Sequence, residues 1–167
     1  MSRSTLRPPD ARIFRALYAV GLGPIVGQLI LLLTTTGRRS GRNRVTALQY
    51  EEVAGAYWLG SSRGMQADWV RNLVANPIVE IQVRSRRFRG RAEAVDDAQR
   101  VADFLELRLE RHPRMIGRIL QMEGLPARPS RQQLVAYAAH LAFVIVRPLA
   151  GDEPAGNART RDATMVP

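Results

Sequence analysis

The segment Ile78-Val79-Glu80-Ile81-Gln82-Val83, followed by Arg87-Phe88-Arg89-Gly90-Arg91-Ala92-Glu93-Ala94-Val95, carries the plainest secondary-structure pattern in the chain. Val79, Ile81 and Val83 alternate with polar neighbours. Phe88, Gly90, Ala92 and Ala94 alternate with Arg87, Arg89, Arg91 and Glu93. A period of two marks strands with one buried face, and two such runs so close together pair antiparallel. Upstream, Val45–Val53 and Ala56–Gly60 are joined by Ala54-Gly55, which predicts a second tight hairpin. Leu31–Thr36 precedes it and ends in three threonines, whose β-branching favours a further strand. Ser61–Gln66 reads as a loop, and Ala67–Ala75 as a short helix stopped by Asn76-Pro77.

Downstream of the hairpin the period changes to that of a helix. Asp96 is expected to cap it, with Gln99 three residues on, and Val101, Phe104, Leu105 and Leu109 form its apolar stripe to about Arg111. His112-Pro113 breaks the helix. Met115–Glu123 predicts a second helix, Ser130 caps a third to about Ala138, and His140–Val146 is a last apolar strand ending at Arg147-Pro148. At the other end of the chain Ala11–Val20 reads as a helix, followed by an apolar stretch from Ile25 to Leu33. Residues 1–10 read as a flexible arm without signal-peptide features, 11–148 as one domain, and 149–167 as a disordered tail. Strands joined by tight turns exclude the doubly wound parallel folds. The expected class is α+β: an antiparallel β-barrel of about six strands, with an N-terminal helix and a helical insertion before the last strand.

The chain has 167 residues and a formal net charge of +10. All 25 cations are Arg; Lys is absent. Arg keeps its charge and offers a planar fork suited to phosphate and carboxylate. Zero Cys excludes disulfides, thiolate metal sites and a Cys nucleophile. No His spacing fits a metal site. The apolar run Val20–Leu33 holds three Gly, a Pro and Gln28, too interrupted for a span of about 20 residues. The expectation is a cytoplasmic protein without a transmembrane span, with the N-terminal helix as the candidate for peripheral membrane contact.

Three local patterns bear on chemistry. Arg38, Arg39, Arg42 and Arg44 surround Ser40 in a glycine-bounded turn between two strands. Backbone N–H groups, a hydroxyl and guanidinium forks together describe an anion cradle. Gly60-Ser61-Ser62-Arg63-Gly64 matches the Gly-x-Ser-x-Gly elbow of serine hydrolases. That reading makes Ser62 a nucleophile, with only His112 or His140 available as base. Asp68-Trp69-Val70-Arg71-Asn72 places Trp69 and Asn72 on one helix face. Gly21–Gly27 looks like a dinucleotide fingerprint but lacks the preceding strand and the spacing.

Taken in order, Leu32-Leu33-Thr34-Thr35-Thr36-Gly37-Arg38-Arg39-Ser40-Gly41, Arg44–Leu48, Gly60–Gly64, Asp68-Trp69, Asn72-Leu73 and Ala75-Asn76-Pro77 resemble the deazaflavin-dependent nitroreductase family of actinobacteria. The final strand before Arg147-Pro148 also looks like the family's last strand. The resemblance implies a split β-barrel, usually a homodimer, that binds 8-hydroxy-5-deazaflavin (coenzyme F-420). It carries the following roles: Arg38, Arg39, Ser40 and Arg44 to the acidic tail of the coenzyme; Val45, Thr46, Ala47 and Leu48 along its length; Gly60, Ser61, Ser62 and Arg63 around the ring; Asp68, Trp69 and Asn72 on the helix that closes the site. Many members carry Lys at the position of Arg63 and Pro at that of Ala47. The founding nitroreductases have a Tyr-rich segment after the barrel, whereas 105–129 here holds no Tyr.

The implied activity is hydride transfer between the reduced deazaflavin and a small electron-poor quinone, enone or nitro compound. Tyr50, Tyr57 and Ser62 are the hydroxyls considered as proton donors; no catalytic residue is assigned. Flavin mononucleotide is the alternative cofactor, and a non-catalytic cofactor carrier the alternative function. Nucleic acid is not expected as a partner, since aromatics make up only 6% and no recognition motif is present.

Overall fold

In the computed structural model the described residues are 30–152, so the N-terminal arm, the expected N-terminal helix and most of the tail lie outside them. Among the described residues there are six strands: β1 (Ile30–Thr36), β2 (Asn43–Val53), β3 (Ala56–Ser61), β4 (Ile78–Val83), β5 (Arg86–Val95) and β6 (Ala142–Pro148). A single turn of 3₁₀ helix (Gly64–Gln66) and the helix α1 (Asp68–Ala75) sit between β3 and β4. Helices α2 (Ala98–Arg111), α3 (Pro113–Met122) and α4 (Arg131–Ala138) fill the connection from β5 to β6.

Every strand pair is antiparallel, and the sheet closes in the order β1-β2-β3-β6-β5-β4. Closure is made where Leu32, Leu33 and Thr34 of β1 face Gln82, Ile81 and Glu80 of β4. Alternation then sorts each strand between two cores. Leu31, Leu33, Tyr57, Leu59, Ile81 and Val144 fill the lumen, and Val70 and Leu73 of α1 plug one end of it. Phe143 and Ile145 of β6 point the other way, into a second core with Phe104, Ile116, Leu120 and Leu134 of the helices. Trp58 and Phe104 stack around Phe143 at ring separations of 5.1 Å each. Burying a side chain of this size contributes about 1.5–3 kcal/mol relative to exposure, so both cores hold the sheet.

Two features of the backbone let the barrel close. Gly90 leaves room for β6, because a Cβ there would lie 2.6 Å from Val146 Cγ1 and 2.9 Å from the Arg147 carbonyl. Ala54 and Gly55 both adopt positive φ, 49° and 78°, as the type I′ hairpin turn requires.

Several expected element starts shift, among them those of α2 and of the last strand. The cap of α2 is Asp97, whose carboxylate accepts the Arg100 N–H at 2.9 Å, rather than Asp96 paired with Gln99. The first helical residue is Ala98, and only Asp97 stands immediately before it. A full capping box forms instead at α4, where Ser130 and Gln133 exchange hydrogen bonds. The last strand starts at Ala142 rather than His140, because the Leu141 N–H is still committed to the Ala138 carbonyl.

The Ala54 position gives a stability prediction. An L-residue in the left-handed region costs about 1–2 kcal/mol, and Asn tolerates it better than Ala. Ala54→Asn should raise the stability of the chain by up to about 1 kcal/mol. Urea denaturation checks this; a lowered midpoint would contradict the turn geometry.

Candidate active site

The helical insertion covers the outer face of β3, β6 and β5 and overhangs part of β2, leaving a groove with a cavity of about 450 Å³. Its floor is Thr46–Gln49 of β2 with Gly60 and Ser61 of β3; its far wall is α2, α3 and Tyr137 of α4; its mouth is Ser62, Arg63, Asp68 and Trp69. A volume of this size is typical of small-molecule sites.

The mouth is held by short-range chemistry. The buried Ser61 hydroxyl donates to the Gly64 carbonyl at 2.8 Å, folding the loop back on itself. Gly64 adopts φ +53°, and a Cβ there would lie 2.8 Å from the His140 carbonyl. The loop therefore rests directly on the segment that leads into β6. Ser62 and Arg63 are left exposed at the lip.

The turn between β1 and β2 is tied to α1 through Asn72, which is 5% exposed. Its Oδ1 accepts from the Arg38 N–H at 3.2 Å and from Arg38 Nη1 at 3.0 Å. Its Nδ2 donates to Thr35 Oγ1 at 3.3 Å. Arg38 Nη2 continues to Asp68 Oδ1 at 3.0 Å. Hydrogen bonding and charge from Arg38 hold the Asp68 carboxyl below the usual Asp range. The pair contributes stability above the ordinary Asp pKa and loses it as pH falls through the lowered one; Asp68 is exposed, so solvent screens the effect.

A charged cluster joins the far wall to β2. Arg108 of α2 is 15% exposed and Glu51 of β2 is 5% exposed. Arg108 Nε donates to Glu51 Oε1 at 3.4 Å, and Nη2 to Gln49 Oε1 at 2.8 Å. Arg111 Nη1 lies 3.3 Å from Glu51 Oε2, and His112 Nε2 lies 3.1 Å from Oε1. Burial lowers the pKa of the Arg108 guanidinium, with Glu51 acting against that shift. Tyr137, half-buried in the same wall, has its phenol raised first by burial and then by Glu123.

Of the residues expected from the sequence, Thr46, Ala47, Leu48, Gly60, Ser61, Ser62, Arg63, Asp68 and Trp69 line this one groove. Arg39, Ser40 and Arg44 are exposed on or beside the adjoining turn, and Arg44 shares its side of β2 with Thr46 and Leu48. Val45, Arg38 and Asn72 are not in the groove wall.

The structure corrects the backbone part of the expected cradle. The N–H groups of Gly37, Arg38, Gly41 and Arg42 are committed to Arg42 O, Asn72 Oδ1, Gly37 O and Ser40 Oγ respectively. They serve to close the turn, which leaves the side chains and the Arg39 and Ser40 N–H groups as its donors toward an anion. Tyr50 and Tyr57 are also displaced from the role considered for them: both belong to the lumen core, and neither lines the groove. No histidine is hydrogen-bonded to Ser62 among the described residues, so the serine-hydrolase reading lacks its base there.

Arg108 and Tyr137 are among the groove residues that escaped the sequence reading. Arg108 follows Phe104 by four positions, on the same apolar helix face, and a cation on that stripe was the available signal. Tyr137 had no comparable signal.

The closed six-stranded barrel with a helix-walled groove on its outer face defines the split-barrel class. Two solved chains share the fold: one described as a domain-swapped dimer (TM-score 0.51, 22% identity, covering 84% of this chain and all of that one), and a candidate 5-nitroimidazole antibiotic resistance protein from Bacteroides thetaiotaomicron (TM-score 0.53, 13% identity, 78% of each). Within that class, residues 10–116 match the F420H(2)-dependent quinone reductase family, and the chain belongs to it. It is 43% identical over 61 residues to the F420H(2)-dependent quinone reductases Rv1261c and MT1299 of Mycobacterium tuberculosis strains H37Rv and CDC 1551. That match spans 35% of this chain and 41% of each relative.

Truncating the Asn72 amide leaves the Arg38 N–H and the Thr35 hydroxyl without their partner. Asn72→Ala should cost about 1–3 kcal/mol in urea denaturation, whereas Asp68→Asn should change stability little. Equal effects of the two would contradict the assignment of the clamp to Asn72.

Proposed function

We propose that the groove holds a deazaflavin coenzyme of the F-420 type and that the protein moves a hydride between it and a small electron-poor quinone, enone or nitro compound. The supporting observation is that three separated sequence segments, Thr46–Leu48, Gly60–Arg63 and Asp68-Trp69, line one groove. These are segments that the family resemblance assigns to the coenzyme.

The residues fit such a group. Floor and wall are largely apolar, as a flat ring system requires, and Trp69 stands at the mouth beside them. Exposed Arg39, Ser40 and Arg44 would hold the acidic tail through charge-assisted hydrogen bonds. Arg63 would face the ring from the lip. Arg38 would act mainly through Asn72 and Asp68, setting the position of the turn and of α1. When bound and reduced, the coenzyme supplies the hydride. The chain's part is to exclude water and to bring substrate to near-contact, about 3–3.5 Å. It also has to offer a proton. Tyr137 keeps its proton through burial and lines the groove, as do the hydroxyls of Thr46 and Ser62.

Flavin mononucleotide is the competing ligand, and a homodimer is part of this proposal. Fluorescence titration of the full chain should give saturable deazaflavin binding, tighter than that of flavin mononucleotide. Sedimentation should give twice the chain mass. Arg44→Ala should weaken deazaflavin binding about tenfold, equivalent to about 1.4 kcal/mol, with stability unchanged. Unchanged affinity in that variant contradicts the tail assignment, and absence of deazaflavin binding overturns the proposal. Tyr137→Phe should slow quinone turnover while leaving deazaflavin affinity intact; equal turnover removes Tyr137 as the proton source.

A further inference from the structure

The unusual element of the groove is a guanidinium set into an otherwise apolar wall. Around Arg108 the wall consists of Val101, Phe104, Leu105, Ile116 and Leu120. Its Cζ lies 5.8 Å from the Phe104 ring centroid. The charge there is not balanced. One buried carboxylate, Glu51, serves Arg108 and Arg111 and also contacts His112. Even with a neutral imidazole, two full positive charges face one negative charge. The excess on Arg111 is dispersed by water, since that side chain is 39% exposed. The excess on Arg108, at 15% exposed, is shielded far less.

Its hydrogen bonding is also incomplete. Nε goes to Glu51 and Nη2 to Gln49, while Nη1 has no hydrogen-bond partner among the described residues. Nη1 is the Arg108 atom that approaches Gly60, 4.0 Å from where a Cβ would stand, beside Phe104 Cε1 at 3.5 Å. It is not sealed from solvent either, since no buried side-chain nitrogen or oxygen lacks a partner among the described residues. A cation with spare donors, facing a space of low polarity, attracts an anionic oxygen more strongly than one in open water.

We propose that Arg108 makes the far half of the groove a seat for flat apolar ligands bearing a carboxylate or an equally anionic oxygen, and that it selects them over neutral isosteres. This rests on the proposed function only in taking the groove as the place where substrate meets the coenzyme. Glu51 acts as a positioning residue: it holds the guanidinium from behind through Nε and leaves the Nη1 edge forward. The arginines proposed to bind the tail lie elsewhere, in the β1–β2 turn and at the start of β2, so the two anion preferences are separable by mutation.

The matched probes are 2-naphthoate and 2-naphthamide, equal in shape and different in charge. Calorimetric titration of the full chain, both without coenzyme and saturated with oxidised deazaflavin, should give 2-naphthoate an affinity at least about tenfold above 2-naphthamide. Arg108→Gln should bring the two within about twofold by weakening 2-naphthoate alone. Gln49→Glu provides a second route that leaves the buried pair intact. Gln49 is exposed and already accepts from Arg108 Nη2, so a carboxylate there neutralises the excess charge and should abolish the preference in a folded protein. Equal affinities in the unmutated chain overturn the proposal, as does binding of neither probe. So does a preference that survives both substitutions. Loss of the preference only on deazaflavin loading also overturns it, because it puts Arg108 under the coenzyme. A preference seen without coenzyme in a chain that fails to bind deazaflavin sustains the anion seat and removes only the coenzyme assignment.

Discussion

Antiparallel pairing of β1 with both β2 and β4 is the contact on which the remaining structure depends. It turns a sheet with two open edges into a barrel with none, and that forces the arrangement around it. A lumen lined by Leu31, Leu33, Leu59 and Ile81 has open ends, so one end must be plugged, and α1 does this with Val70 and Leu73. Strands that face a full lumen on one side still carry apolar residues on the other. Trp58, Phe143 and Ile145 therefore need an outer cover, which α2–α4 provide. The groove lies where that cover passes over β2 without packing tightly onto it. In this sense the cavity is a by-product of closure and cover, later lined by residues suited to a ligand.

The position of the charges follows the same logic. Residues 47, 49 and 51 of β2 share the outward side, so Glu51 is buried under the helical layer while Gln49 meets it at an exposed edge. A buried carboxylate must be paired or neutralised, and Arg108, Arg111 and His112 supply the partners. Pairing through three donors to one acceptor leaves an uneven balance, and the residual charge lies on the groove side of the helix. On the opposite side of the mouth, Asn72 performs a comparable structural task without net charge. It joins β1, the β1–β2 turn and α1 at a single amide.

Strand number and order could be read from the chain because tight turns and period-two alternation are local signals. Ala54-Gly55 and the 78–95 hairpin needed no tertiary information. The composition of the mouth was also legible, since Gly60–Arg63 and Asp68-Trp69 are compact motifs that a strand, a loop and a helix start bring together. What was not legible depends on where an element leans. Asp96 and Asp97 are equivalent as caps by composition, and only the path out of β5 selects the second. The amides of the 37–42 turn looked available for an anion, yet those of Gly37, Gly41 and Arg42 bond within the turn, and it took Asn72, on an element more than thirty positions away, to bind the Arg38 N–H. Arg108 was hidden for a similar reason: on an isolated amphipathic helix, an Arg at the edge of an apolar stripe reads as a solvated flank. Only the placement of α2 over β2 turns it inward.

The helical layer is attached in an unusual way. Val95, the last residue of β5, lies directly opposite Phe143 near the start of β6, so the whole of α2–α4 leaves the barrel and returns to it at neighbouring points. The match to the family ends at residue 116, inside α3, and the rest of the layer is not covered by it. A unit inserted between adjacent ends of a hairpin behaves as a cassette: its length and contents can drift, or be exchanged by an engineer, without disturbing strand order. Descendants of one barrel would thus diverge in the compounds they accept while keeping a common strand floor.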